Sequence, residues 1–276
     1  MLGEEKKDYK WVSTLPENES LVTGLPDRVI VITGANTGIG AAVAKGALEA
    51  GAKAVYNIDL RAPLEDNEFA ALQKAYPGKA HYLNGDVTKL DTIVAAFDKV
   101  IEAEGTLDGV VANAGITIRK GSLEYTPEEW DLIINVNLKG VVNTANVAIK
   151  NFLKLGKKGS IVVTASLVAH GTNKAAPSLP YQATKSAILG VVRGLGCEFA
   201  CQGIRVNCVS PGYIRTALTT YPDTDPLWST KLDIWGGMHR LAEPRELAGT
   251  YVYLLSDASS YTTGVDVRVQ GAIDAW

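Results

Sequence analysis

The chain has 276 residues, of which 46% are hydrophobic and 21% charged, with a net charge of −3. That size and balance fit a soluble globular α/β protein with a sizeable core. The slightly acidic charge offers no basic surface for nucleic acid or an anionic membrane. No run reaches the roughly 18 apolar residues of a membrane span. The charged opening, Met1 to Lys10, lacks the apolar core of a signal peptide. The expectation is a cytoplasmic protein that takes neither nucleic acid nor a membrane as partner. Cys197, Cys201 and Cys208 are odd in number and clustered late, which reads as reduced buried thiols rather than a disulfide framework. His81, His170 and His239 stand at no metal-ligand spacing from Cys or acidic residues, so no metal is expected.

Residues 1 to about 25 carry mixed charge and Pro16, and read as an extension that lies over the surface or moves. No Pro/Gly/Ser-rich linker interrupts 26–276, which reads as one catalytic domain. Arg28-Val29-Ile30-Val31-Ile32 is a short apolar run that predicts a buried strand. Thr33-Gly34-Ala35-Asn36-Thr37-Gly38-Ile39-Gly40 follows, and 41–50 reads as a helix ended by Gly51. Glycines at a strand-to-helix turn let the backbone bend and let a phosphate come close. The helix N-terminus then offers free N–H groups and partial positive charge to a pyrophosphate. Further strands are predicted at 54–59, 80–84, 107–112, 160–164, 204–209 and 265–269. Helices are predicted at 66–76, 90–103, 126–154, 182–202 and 244–256. The alternation predicts a doubly wound parallel seven-stranded sheet with helices on both faces. The irregular stretch Gly212 to Arg240, with Pro222, Pro226, Trp228 and Trp235, is either a substrate cover beyond the strand ends or an excursion filled by its own aromatics. The last residue is Trp276. An apolar terminus suggests burial, against another subunit, at the pocket's border or on the chain's own surface.

Residues able to carry chemistry gather at the predicted strand ends. Asp59 lies 19 residues past Gly40, where an acid accepts hydrogen bonds from an adenosine ribose and repels a 2′-phosphate. Arg61 could instead greet that phosphate, so NAD is expected and NADP remains the other candidate. Asp86-Val87 could meet an adenine, and Asn113-Ala114-Gly115 puts small residues where a cofactor would cross the sheet edge. Tyr181 and Lys185 are four apart on a helical run and share a face. An ammonium there can lower the phenol's pKa, and a tyrosine so tuned can exchange a proton with an alcohol or carbonyl oxygen. Ser166 could hold the same oxygen.

In their order, Thr33-Gly34-x-x-x-Gly38-Ile39-Gly40, Asn113-Ala114-Gly115, Asn137 within Val136-Asn137-Leu138-Lys139-Gly140, Ser166, Tyr181-x-x-x-Lys185 and Pro211-Gly212 resemble the short-chain dehydrogenase/reductase family. The similarity runs from about 27 to 270, and is similar within the family to fungal polyol dehydrogenases and sorbose-reductase-like proteins. The resemblance implies a Rossmann-type fold, a nicotinamide cofactor and a catalytic set of Asn137, Ser166, Tyr181 and Lys185. It implies that Asn137 holds a water linking Lys185 to solvent. It also implies that the loop bearing Pro211, Gly212, Ile214 and Thr216 borders the nicotinamide amide, and that the protein is a homo-dimer or homo-tetramer. Three departures stand out. Ser166 and Tyr181 are more widely spaced than in the family pattern, which lengthens the loop around His170 and Pro177. Ala112 replaces the first Asn of the usual Asn-Asn-Ala-Gly, and Gln270-Gly271-Ala272 replaces Asp-Gly-Gly. The expected activity is NAD(P)-dependent interconversion of a secondary alcohol and a ketone, with a polyol or ketose as candidate substrate. The alternatives are a carbonyl or imine reductase acting on a specialised-metabolite intermediate, and a non-catalytic dinucleotide-binding sensor or scaffold.

Overall fold

The computed structural model describes residues 23–172, 177–219 and 237–273. The expectations for the N-terminal extension, for Pro222, Pro226, Trp228 and Trp235, and for Trp276 lie outside these residues. Seven parallel strands form one sheet: β1 (Val29–Thr33), β2 (Ala54–Asp59), β3 (Ala80–Asn84), β4 (Gly109–Ala112), β5 (Gly159–Thr164), β6 (Ile204–Pro211) and β7 (Asp266–Val269). Their order is β3-β2-β1-β4-β5-β6-β7. The main helices are α1 (Gly38–Glu49), α2 (Glu68–Ala75), α3 (Leu90–Glu104), α4 (Pro127–Ile134), α5 (Gly140–Leu155), α6 (Leu179–Glu198) and α7 (Arg245–Leu255).

β1, β4 and β5 are buried along their whole length because both sheet faces are covered there, while the edge strands β3 and β7 carry polar, partly exposed residues. In β1, Val29 and Val31 enter a core shared with α3, α5 and α6, while Ile30 and Ile32 enter the opposite core with α1, α2 and α7. The period-2 alternation of side chains thus divides one apolar strand between two cores. Leu25, ahead of β1, is wholly buried, and its N–H bonds the Ala50 carbonyl at 2.8 Å, so the packed body takes in this residue as well.

Local signals set several boundaries. Asn67 caps α2 by accepting from the Ala70 N–H at 2.9 Å. Thr126 and Glu129 form a reciprocal capping box at the start of α4, with Pro127 in its first turn. The predicted helix 126–154 runs as Pro127–Leu155, with a π-helical turn, Asn135–Lys139, between α4 and α5. By length and composition the run Pro127–Leu155 could cross a membrane, yet half of its most apolar window is buried inside the fold, as in a core helix. The predicted helix 182–202 begins earlier, at Leu179, and ends at Glu198. The thiols differ from expectation, since Cys197 and Cys201 are exposed and only Cys208 is buried. Cys197 lies on the outer side of the last turns of α6, whose Val192 and Gly196 face inward, and Cys201 follows the helix in a short 3₁₀ turn, so an apolar residue type does not guarantee an interior position.

Strand order reverses between β1 and β4, which makes their carboxyl ends a topological switch point. A cleft of about 480 Å³ opens there, lined from the ends of β1 to β6.

Candidate active site

The glycine turn forms one end of the cleft. Gly34 has φ +69°, and a Cβ on it would lie 2.9 Å from the Ala114 Cα. A Cβ on Gly40 would lie 2.4 Å from the Gly34 carbonyl oxygen. Neither position admits a side chain, so the turn stays flat against β4. Gly34, Thr37, Gly38 and Ile39 line the cleft, while Gly40 underlies the turn. Thr37 is the N-cap residue of α1 in extended conformation, so the N-terminus of α1 opens toward the cleft. This is the geometry that receives a pyrophosphate. Asn36 departs from expectation. Its Nδ2 donates to the Arg61 carbonyl at 2.8 Å and its Oδ1 accepts from Asn57 at 2.8 Å, so it braces the turn rather than lining the cleft.

Asp59 and Asp86 line the same end. Burial raises the Asp59 carboxyl above its ordinary value, opposed by backbone N–H bonds from Asn36, Leu60 and Arg61. Arg61 is exposed and lies outside the cleft lining. The Asp86 Oδ1 accepts from the Thr88 N–H at 2.9 Å and its hydroxyl at 2.7 Å, which closes a turn after β3. Val87 lies under Gly140, where a Cβ would stand 2.7 Å from a Val87 methyl.

Asn113 straps the middle of the cleft. Its Nδ2 donates to the Thr33 carbonyl at 3.1 Å and the Gly34 carbonyl at 2.9 Å. Its Oδ1 accepts from the Thr164 hydroxyl at 3.1 Å. Ala114 and Gly115 continue the wall. Opposite, Pro211, Gly212, Ile214 and Thr216 line the cleft after β6. A Cβ on Gly212 would stand 2.9 Å from the Gln270 Cα, which keeps that loop pressed on the end of β7.

Ser166, Tyr181 and Lys185 share the remaining wall. Ser166 follows β5 and caps a short 3₁₀ turn. The Lys185 ammonium is buried and donates to the Thr164 carbonyl at 2.6 Å. It stands 5.6 Å from the Tyr181 ring centroid. Burial pushes Lys185 down to about 8. Burial also raises the Tyr181 phenol, and a hydrogen bond with Ser166 and the charge of Arg119 oppose that rise. Asn137 does not line the cleft. It is fully buried in the π-turn, accepting from the Ile116 N–H at 2.9 Å and donating to the Ile116 carbonyl at 2.8 Å. It thereby fixes the chain directly after Gly115. Two hydroxyls converging beside a buried ammonium can bind a substrate oxygen and move a proton at it.

Sequence reasoning missed Thr117, Arg119 and Ser178, which also line the cleft. They sit on irregular chain, where no periodicity marks them. It missed a brace behind Ser166 as well. The His170 Nε2 bonds the Asp266 carboxylate at 2.6 Å, and its Nδ1 accepts from Arg268 at 2.9 Å, joining the loop after β5 to β7. The departure in loop length around His170 was the available signal.

A glycine turn feeding a helix N-terminus at the switch point of such a sheet defines a dinucleotide-binding protein of the Rossmann class. Residues 34–272 match the family model described as enoyl-(acyl carrier protein) reductase. The chain is 34% identical over 251 residues to the NADP-dependent mannitol dehydrogenase of Hypocrea jecorina, covering 90% of this chain and 92% of that one. It is 37% identical over 252 residues to the sorbose reductase of Schizosaccharomyces pombe, covering 90% and 96%. With the 2-dehydro-3-deoxy-D-gluconate 5-dehydrogenase of Escherichia coli the identity is 34% over 248 residues, covering 90% and 95%. The solved structure of a short-chain type dehydrogenase/reductase from Mycobacterium marinum matches with a TM-score of 0.85 at 34% identity, covering 93% of this chain and 100% of that one. The chain belongs to the short-chain dehydrogenase/reductase family.

Proposed function

We propose that this chain is an NAD(P)-dependent oxidoreductase that interconverts a secondary alcohol and a ketone, with a polyol or ketose as its substrate class. One observation carries the reading: Ser166, Tyr181 and Lys185 share a cleft with the glycine turn at the start of α1. A nicotinamide dinucleotide, when bound, supplies or accepts the hydride. The chain's own residues do the rest. Gly34, Thr37 and Gly38, with the α1 N-terminus, hold the pyrophosphate. Asp59 takes the adenosine ribose, and Asp86 and Val87 border the adenine. Asn113, Ala114 and Gly115 form the floor where the cofactor crosses the sheet edge, and Pro211, Gly212, Ile214 and Thr216 face the nicotinamide amide. Tyr181 gives a proton to the ketone oxygen or takes one from the alcohol, Ser166 orients that oxygen, and Lys185 stands beneath both. Asn137 is a positioning residue that acts through the Ile116 backbone.

The preference we infer is NAD over NADP, although the Hypocrea relative is NADP-dependent by name. The Asp59 carboxylate, at the end of β2 on the cleft wall, would repel a 2′-phosphate. The working form we infer is a cytoplasmic homo-dimer or homo-tetramer with residues 26–276 as one catalytic domain.

The test is loss of NADH absorbance with a panel of ketoses and bulky ketones. Consumption by the wild type and not by Tyr181→Phe is expected. Absence of turnover with every ketone, in protein that binds NADH, sinks the reading and favours a sensor or scaffold.

A further inference from the structure

A histidine, a carboxylate, a thiol and a hydroxyl meet behind the wall that carries Ser166, and the alcohol–ketone reading uses none of them. Asp266 opens β7 and pairs in register with Cys208 of β6. Its Oδ1 accepts from the Ser210 hydroxyl at 2.7 Å and from the Cys208 thiol at 3.2 Å. Burial, and then the Asp266 charge, raise the Cys208 thiol, so its proton stays on sulfur and keeps donating. Two side chains of β6 thus clamp one carboxylate oxygen. The other, Oδ2, lies 2.6 Å from the His170 Nε2, and the side chains of His170 and Asp266 are only 13% and 16% exposed. The second ring nitrogen, Nδ1, faces the Arg268 guanidinium at 2.9 Å. Arginine has donors and no acceptor, so Nδ1 must accept and the ring proton belongs on Nε2, aimed at Asp266. The ring is held from both sides in one orientation.

His170 also ends the turn that Ser166 begins. Ser166 is the N-cap of the 3₁₀ turn Leu167–Ala169, and His170 is its C-cap. The Ala169 N–H donates to the Ser166 carbonyl at 3.0 Å, and the His170 N–H to the Leu167 carbonyl at 3.0 Å. The Ser166 Oγ accepts from the Val168 N–H at 3.4 Å. Residues bonded in this way move as one piece, so a shift at His170 turns Ser166. Leu167 and Val168 pack with Tyr213, Leu241 and Ile273. That apolar contact holds the turn down, but it is non-directional and does not set its rotation. A directed bond at each end does. At the near end the Ala165 N–H bonds the Val209 carbonyl of β6 at 2.8 Å. At the far end the anchor is His170 on Asp266.

We propose that His170 is a positioning residue for the alcohol–ketone reaction: its bond to Asp266 sets the rotation of the 3₁₀ turn and so aims the Ser166 hydroxyl at the reacting oxygen beside Tyr181. The inference rests on the proposed function and adds to it a residue outside the cleft lining.

The test is a double-mutant cycle on the full chain. Single-turnover reduction is followed at saturating ketone, so that product release does not mask hydride transfer. The ketone is whichever of D-fructose, L-sorbose and the bulky ketones of the panel the wild type reduces fastest. His170→Gln puts an amide N–H near the place of Nε2 and keeps the bond to Asp266. His170→Asn puts an oxygen near the place of Nδ1, keeps the Arg268 contact and falls short of Asp266. His170→Asn should slow reduction about 30-fold, below the roughly 10²-fold that 1 Å of misplacement can cost, with dinucleotide affinity unchanged. His170→Gln should stay within about 3-fold of the wild type. In Ser166→Ala no hydroxyl is left to aim, so adding His170→Asn there should change the rate by less than about 2-fold. A His170→Asn loss that persists undiminished in Ser166→Ala makes His170 a plain structural tie and overturns the proposal. So does a lowered melting temperature with an unchanged rate. Equal losses in His170→Gln and His170→Asn overturn it as well, because the bond to Asp266 is then not the cause. Should His170→Asn not fold, Asp266→Asn, which removes the charge at Oδ2 and keeps the volume, takes its place in the cycle with the same readings. Each of these failures leaves the alcohol–ketone reading standing. A wild type that reduces no ketone, or Ser166→Ala at the wild-type rate, overturns that reading and the proposal with it.

Discussion

The strap through Asn113 gives a prediction whose sign changes with context. The Thr164 hydroxyl has one proton, and it goes to the Asn113 Oδ1 at 3.1 Å. The buried Tyr251 hydroxyl, 2.8 Å away, must therefore be the donor to Thr164. Burial raises the Tyr251 phenol, which keeps that proton in place. Tyr251→Phe removes a donor and leaves the Thr164–Asn113 bond intact, so it should cost about 1 kcal/mol. Thr164→Val strands both the Tyr251 O–H and the Asn113 Oδ1. At about 1–3 kcal/mol for each stranded group, and less for half-buried Asn113, the cost should be about 3 kcal/mol. The double variant leaves no phenol to strand. Adding Tyr251→Phe to Thr164→Val should thus recover about 1 kcal/mol, whereas the same change in the wild type loses it.

Urea denaturation of the four proteins reads this cycle. Dinucleotide affinity reads its functional side, because Asn113 also holds the Thr33 and Gly34 carbonyls. Thr164→Val should loosen the turn and weaken binding, and Tyr251→Phe should leave binding near wild type. If Tyr251→Phe destabilises the Thr164→Val background as much as it does the wild type, the proton assignment is wrong and the three residues do not act as one network.

Three further outcomes are expected. Tyr181→Phe should lower kcat by about 10²–10⁴-fold while dinucleotide affinity holds; a variant that keeps a tenth of wild-type turnover removes Tyr181 from the proton step. Asp59→Ala should narrow the gap between NAD(H) and NADP(H) affinities measured by fluorescence titration, and a wild type that already prefers NADP(H) would hand this end of the site to Arg61. Gly34→Ala should destabilise by about 2–4 kcal/mol, since φ is +69° and the new methyl meets the Ala114 Cα at 2.9 Å; a melting temperature equal to wild type would contradict the close approach.

What the sequence made legible follows from how locally each feature is determined. β1 could be read because burial on both faces forces an unbroken apolar run, and the turn after it because only glycine tolerates its geometry. Tyr181 and Lys185 could be paired because a helix puts residues four apart on one face. The π-turn at Asn135–Lys139 was not legible. Val136-Asn137-Leu138-Lys139-Gly140 has an ordinary amphipathic pattern, and the displaced turn answers contacts remote in sequence, Gly140 on Val87 and Asn137 on Ile116. Asn36 was misread for the opposite reason. In a glycine turn every polar side chain resembles a ligand group, and only the neighbouring β2 residue Asn57 reveals its bracing role. Arg119 lies on irregular chain, so its place on the cleft wall depends on the capped start of α4 and on Tyr125 and Ser178. Sequence reading thus recovers groups set by backbone geometry and loses those set by loop packing.

Lys185 joins stability to function, and the joint has a pH signature. Burial holds its ammonium at about 8, against an ordinary lysine value of 10.5. Below the folded value both folded and unfolded chains carry the proton, and the folded state bears the whole desolvation penalty, about 3 kcal/mol by the shift. Between the two values the unfolded chain holds a proton that the folded chain has released. Stability from this group therefore rises with pH across that window, the reverse of a lysine stabilised by an ion pair. Lys185→Met keeps the length of the side chain and removes the titration. It also leaves the Thr164 carbonyl without its donor, but that loss does not vary with pH. The stability of wild type minus variant should accordingly rise by about 2 kcal/mol between about pH 7.5 and pH 10, read by urea denaturation without cofactor. The variant should lack turnover at both values. A difference that stays flat, or falls, over that interval means that the ammonium is not desolvated as its burial implies. The same burial that weakens the fold near neutral pH places this lysine's proton exchange near neutrality, where a group beside Tyr181 and Ser166 is most useful.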